Sequence, residues 1–469
     1  MKKIFLILLL LFSFQLIFPK NVVISTEKDR TALFVTIYNS DRALICDERT
    51  VRVPEGKFVL KFMDVSEKII PESVNFESNN LLLYEQNFEY DLLTPLKLLE
   101  KFVGREIEVI EKRVKDNSTE EVIKKAKILS VNNGVVYEID GKIITGKSFS
   151  GYIFPDIPNN LISHPTLLWL LKGEKPGKEN VKCSYLTGGM TWSSNYVLFL
   201  NSDEDKGALT GWITLRNESG TAYKNAVLKL VAGEVNVVRK GWSDKVYYEK
   251  SYRAAPRSMP VNQTSEKKFF EYHMYTVKRK VTLKNNQEKQ ISMLNVSGIK
   301  MRKTYEVNSY SSRFSNEKTM PDVNVYLNFK NSEENSLGIP LPAGVFRVYK
   351  EDSDGSPIFV GEDKIKHTPR DEDVKIKMGK AFDIKVEKVC TRKEKLGEGA
   401  YELDFKYILK NHKDRKVDVE VRESFPDFTE IVSSNIKYEK ISSNSVKFIV
   451  PVEKKGKNEL IYKIVIKNK

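Results

Sequence analysis

Histidine and cysteine are scarce in this chain, four and three among 469 residues. Cys46, Cys183 and Cys390 lie far apart, in what read as different domains, so at most one disulfide forms and a thiol is left over. A disulfide scaffold is excluded. His273 and His367 sit in strongly patterned segments, but neither has a partner at metal-ligand spacing, and each reads as a structural histidine whose ring is satisfied by backbone. Also missing are a G-x-S-x-G elbow, an H-E-x-x-H pair and a phosphate-cradling glycine loop, since Gly188-Gly189 does not open a helix. A thiolate pair of Cys183 and His367 is conceivable in principle. Yet Cys183 leads into a strand, with no helix N-terminus to lower its pKa.

Asp352-Ser353-Asp354-Gly355 offers the first oxygens of a calcium loop, but its glycine comes too early for an EF-hand. Ser356-Pro357 fits a hairpin between Phe346 to Lys350 and Ile358 to Gly361 better. Acids are scattered over every strand, so no glycosidase pair is placed, and Asp203-Glu204-Asp205 reads as a solvated loop. Sequence therefore assigns no catalytic, metal or cofactor-binding residue and no cofactor. Trp192, Trp212 and Tyr223 are the aromatics considered for stacking on a sugar ring or a partner, against the plainer reading as core or cross-strand pairs.

Only one long apolar run is present. Met1-Lys2-Lys3 is followed by Ile4 to Phe18, interrupted by Ser13 and Gln15, which is the pattern of a secretory signal. As a helix it reaches only about 22 Å, short of the roughly 30 Å hydrocarbon layer. Residues 1–20 are thus expected to be a cleaved signal; with only Phe18-Pro19-Lys20 where a small-residue cleavage site belongs, retention as an N-terminal membrane anchor is the alternative. The expected location is the periplasm or cell surface. Lysine and arginine number 77 against 63 acids, a net charge of +14, but the signs alternate along most strands and the basic clusters, such as Lys278-Arg279-Lys280, are short. Solvated strand faces explain this, with attraction to anionic envelope polymers second. Nucleic acid is not an expected partner.

What the chain does contain is alternation. Leu33, Val35 and Ile37 alternate with Phe34, Thr36 and Tyr38; Tyr196 to Leu200, Gly211 to Leu215 and Ala226 to Ala232 are strands separated by polar turns; and Tyr401 to Leu409 repeats the two-residue period. Lys284-Asn285-Asn286-Gln287 reads as a hairpin turn. Thr94-Pro95 caps the one helix, with Leu98, Leu99 and Phe102 on a shared face and Gly104 at its end. After it, four short segments joined in part by Asn133-Gly134 and Asp140-Gly141 predict a small barrel like SH3-type folds. The expected class is mainly β, with tandem β-sandwich domains, a small SH3-like barrel and one short helix. The expected division is an N-terminal β domain over 21–90, helix and barrel over 91–154, a first sandwich over 155–330 opening on a proline-rich linker, and a second over 331–469.

Tyr185, Gly189, Trp192, Tyr196, Asn217, Gly220, Tyr223, Ala226 and Val231-Ala232-Gly233 form a spaced pattern. Glu85-Gln86-Asn87-Phe88-Glu89-Tyr90-Asp91-Leu92-Leu93, Tyr272-His273-Met274-Tyr275, Leu337 to Gly344 with Arg347 to Tyr349, and His367-Thr368-Pro369 ahead of Ala381-Phe382-Asp383 extend it over nearly the whole chain. In these segments the chain resembles the bacterial family labelled domain of unknown function 4139. The label carries no assigned activity. Mucoidy-inhibitor-like relatives bear a different N-terminal region with a coiled coil, and no heptad run occurs here, so that name is not transferred. The expected function is non-catalytic binding or scaffolding of an envelope protein or polysaccharide through loops or sheet edges; the alternative is a hydrolase acting on envelope or extracellular polymer.

Overall fold

A computed structural model describes residues 21–89, 94–115, 118–156, 158, 164–233, 236, 264–269, 272–312, 314–315 and 318–467. Residues 1–20, the expected signal or anchor, lie outside them. The chain is mainly β, with many strands in six sheets and one α-helix among the described residues. Three hydrophobic cores organise it.

The first core draws on residues from Leu33 to Ile376. Strand Arg30–Tyr38 runs parallel to Tyr223–Ala232, Arg42–Val53 pairs with Gly177–Thr187, and Gly56–Met63 pairs with Thr166–Gly173. The expected independent domain over 21–90 is therefore corrected. Its strands carry one apolar row each, and the strands that complete their sheets come from far along the chain. The boundary at 330 also falls inside a unit, because Gly344–Glu351 lies parallel to Met190–Leu200 in a five-stranded outer sheet, while Arg302–Tyr310 lies parallel to Val417–Ser424 in the C-terminal body. That body is a six-stranded sheet and a five-stranded sheet closed over the core from Tyr305 to Ile466.

Helix Pro95–Lys101 and the strands from Glu106 to Ile153 keep a core of their own, in which Leu99 and Phe102 pack with Val109, Ile128 and Tyr137. The Thr94 hydroxyl accepts the Lys97 amide, so the cap forms as its sequence requires. In chain order the five strands lie four-three-two-one-five, and the end strands do not pair, so the sheet is open and the expected barrel is not closed. It is nonetheless strongly curled. Tyr137 and Tyr152 sit three strand spacings apart, about 14 Å in a flat sheet, yet their hydroxyls bond at 2.9 Å and their rings stack at 6.4 Å.

Lys284 to Gln287 departs from its hairpin reading. Val281–Leu283 pairs with Tyr223–Ala232, whereas Gln287–Lys300 pairs with Lys206–Asn217, so the turn carries the chain from one sheet to another. Asn and Gly propensity specifies a reversal, not a partner. Cys46 and Cys183 are likewise closer than expected, on neighbouring strands of one sheet, but they occupy opposite faces, Cys183 inward and Cys46 outward. All three thiols are free.

Two ionic groups fix the assembly. The fully buried Arg49 donates to Asp47 at 2.8 Å, to the Ser25 carbonyl at 3.1 Å and to the Met63 carbonyl at 2.8 Å, and lies over the Phe62 ring. Arg30 also clasps Asp47, at 2.7 Å. The second group departs from the solvated-loop reading at Glu204, while Asp203 and Asp205 are exposed in the loop as expected. Glu204 takes Lys303 at 2.7 Å, Lys350 at 3.0 Å and Arg415 at 3.3 Å, and so pins the outer sheet to the C-terminal body. Burial alone would raise its carboxyl, but Lys303 and Lys350 outweigh that and hold it at about 2.

For Asp47, burial pushes upward too, and the two arginines prevail, keeping the carboxyl below its ordinary value. Asp47→Asn leaves two guanidinium groups uncompensated in the core and should cost about 3–5 kcal/mol, read from denaturant unfolding at neutral pH. A carboxyl depressed in the folded state stabilises fully above its unfolded value of about pH 4 and ceases to as pH falls through the folded one. The gap between wild type and variant should therefore narrow only in that acid range.

Candidate binding face

Met190–Leu200 buries Tyr196, Leu198 and Leu200, so the alternate residues Asn195, Val197 and Phe199 face outward. Neighbouring strands continue each row across the outer sheet. Phe199 stands opposite Ala208 on one side and Tyr349 on the other, and Tyr349 opposite Phe359 on the edge strand Pro357–Ile365. Phe199 and Tyr349 stack at 5.3 Å with their planes 25° apart, and Phe359 meets Tyr349 edge-on at 5.6 Å. The row is open to solvent, with Phe199 42% and Phe359 52% exposed beside exposed Ile358 and Val360.

Tyr349 covers one face of Phe199. The other looks toward Ala208, where a depression of about 330 Å³ is floored by Gly207, Ala208 and Gly298 and rimmed by Asn201, Lys206 and Glu351. At Ala208 and Gly298 the small residues leave space that larger side chains would fill, whereas a side chain on Gly207 would run into Leu198 and Met301 beneath. In the next row Arg347 pairs with Glu362 at 3.2 Å and donates to Asn195 at 3.3 Å, and Asn195 donates to Thr214 at 3.0 Å. One ring face over a shallow floor, beside a lattice of planar polar groups, is suited to holding a ligand. Two other depressions, of about 430 and 580 Å³, carry no exposed aromatic.

The aromatics singled out from sequence are placed differently. Trp192 is 4% exposed, donates to the Val231 carbonyl and packs on Tyr275, and Tyr223 is 2% exposed and bonded to Ser219, so both are core, as the plainer reading has them. Trp212 is half-buried on the outer face opposite Asn195. Alternation tells which residues share a face, but not which face another sheet covers. Phe199 was legible only as the residue out of phase with Tyr196 and Leu198.

The other candidates sit in structural settings. His367 Nδ1 accepts the Ala343 amide at 3.1 Å, and burial pushes the Cys183 thiol well up. His273 stands opposite Ala232 in a strand pair, half-buried. Asp354 accepts from both the amide and the hydroxyl of Ser356, at 2.8 and 2.6 Å, within a hairpin joining Gly344–Glu351 to Pro357–Ile365. Glu306 and Glu420 are paired across parallel strands and buried, and Lys375, Arg422 and Arg302 cover and neutralise them. Among the described residues no three of histidine, cysteine, aspartate and glutamate gather as a metal site, and no helix is long and apolar enough to cross a membrane. No family model matches the chain, and no curated protein does.

The face depends on one close approach. A Cβ on Gly344 would stand 2.3 Å from the Ser194 carbonyl oxygen, so only glycine lets Gly344–Glu351 settle against Met190–Leu200. Gly344→Ala should cost about 2–3 kcal/mol, seen as a lowered Tm, because the backbone has to shift at a paired strand.

Proposed function

We propose that this chain is an exported, non-catalytic β-domain protein, allied to the domain of unknown function 4139 family, that binds an anionic polysaccharide of the cell envelope on the outer sheet. The observation that carries this is the free face of Phe199 above its glycine- and alanine-floored depression. A sugar ring presents apolar C–H faces and a rim of hydroxyls; the first stack on an aromatic ring and the second bond to planar groups such as Asn195, Arg347 and Glu362. An excess of fourteen positive charges favours an anionic polymer over a neutral one. The basic head and apolar run at residues 1–18 support export, and the spaced segments from Glu85 to Asp383 support the family reading.

A second route rests on a different strand. Among the described residues Leu81–Glu89 forms a sheet edge, with Leu82, Leu83 and Tyr84 exposed, and an edge of this kind suits an incoming peptide strand.

Calorimetric titration of the purified chain with envelope polysaccharide should give saturable binding, weakened about three- to tenfold by Phe199→Ala and similarly by Phe359→Ala. If these variants bind as wild type while Leu83→Lys abolishes capture of an envelope protein, strand addition is the better account. Recovery of neither glycan nor protein from envelope extract above background would overturn both.

A further inference from the structure

The C-terminal sandwich breaks its own pattern at two points. Along Ile384–Lys395 the inward row reads Ile384, Val386, Lys388, and along Val417–Ser424 it reads Val417, Val419, Val421, Glu423. A lysine and a glutamate thus occupy places that alternation reserves for aliphatic side chains. They belong to different sheets and meet in the core between them. Lys388 is 5% and Glu423 0% exposed at the side chain, and Lys388 Nζ stands 3.0 Å from Glu423 Oε1. Adding one C–O length of about 1.2 Å puts the carboxyl carbon within about 4.2 Å of the nitrogen.

Hydrogen bonds hold both members of the pair. Nζ donates to Ser309 Oγ at 2.8 Å and to the Tyr310 carbonyl at 3.0 Å, which fixes its position. Ser311 donates to Glu423 Oε1 at 2.9 Å and also contacts the Tyr462 hydroxyl at 2.9 Å, while Tyr407 donates to Oε2. The rings of Phe405 and Tyr407 lie 4.9 and 5.5 Å from Nζ and wall it off from water. Burial favours the neutral amine, against the pull of Glu423, and keeps both tyrosines protonated as donors.

We propose that Lys388 and Glu423 condense after folding into an intramolecular amide that joins the two sheets of the C-terminal sandwich. A proton passes from the ammonium to the carboxylate, giving amine and acid. The Nζ lone pair attacks Cδ and forms the C–N bond. Oε2, which Tyr407 holds and which carries the acid proton, leaves with the electron pair of its C–O bond; a second proton from Nζ, passed through the Ser309 hydroxyl to Tyr407 and from Tyr407 to Oε2, completes a water molecule. Oε1, held by Ser311, stays as the amide oxygen. Nothing is oxidised or reduced and no co-reactant is needed. The drive is physical: two opposite charges in a dry core, each costly to keep there, are replaced by one neutral amide.

The test is peptide mass spectrometry of the purified full chain, alkylated and digested with trypsin under denaturing conditions. An amide at Lys388 blocks cleavage after that residue. The expected product is residues 386–392 joined to residues 423–437, lighter than the two peptides together by one water. Lys388→Met should abolish that species, whether or not the variant folds as tightly. Recovery of 386–388, 389–392 and 423–437 only as separate peptides of full mass would overturn the proposal and leave the pair as a buried salt bridge.

Discussion

A strand whose apolar residues recur at every second position has one face to hide and cannot hide it alone. That constraint governs this molecule. In the two larger bodies each sheet buries its inner row on another sheet, and the partners it needs are recruited wherever the chain supplies them. Strands near the N-terminus are completed by strands more than a hundred residues later, as when Phe34 stands beside Val227, and the hairpin after Gly344 returns to the sheet of Tyr196. The result is two bodies whose strands are interleaved in sequence, with one curled insert that keeps its own core.

Charge placed inside these cores serves geometry. Arg49 reaches two backbone carbonyls and one carboxylate, which no aliphatic side chain of its size can do, and so sets the strands of Ser25, Asp47 and Met63 against one another. Glu204 performs a comparable task at the junction of the bodies, where Lys303 and Lys350 from separate strands and Arg415 from a loop converge on one carboxylate. Such groups are costly to bury and so tolerate few alternative arrangements, which favours a unique packing.

The outer sheet is the reverse case, a face left without a covering layer. Its residues pair with one another in rows: ring on ring from Phe199 to Phe359, and guanidinium, carboxylate and amide from Arg347 to Asn195. A row of this kind is rigid because the strands beneath it are hydrogen-bonded. It offers a prepared surface with little side-chain entropy left to lose on binding, and the missing side chains at Ala208 and Gly298 leave the room a ligand requires.

Local chemistry was legible in the residues themselves. The period of two marks strands because successive side chains point to opposite faces, Thr94-Pro95 marks a helix start because it satisfies an orphan amide, and Asp140-Gly141 marks a tight turn because both residues accept positive φ, at 51° and 72°. What tertiary structure alone decided is which faces are covered and which strands meet. Trp192 and Phe199 look equally available in the sequence, yet one lies under a sheet and the other above it; Lys284 to Gln287 reads as a hairpin and instead changes sheets; Lys388 and Glu423 share no local signal and meet across a core. Propensity acts over a few bonds, whereas burial is settled between surfaces that the chain brings together only when it folds.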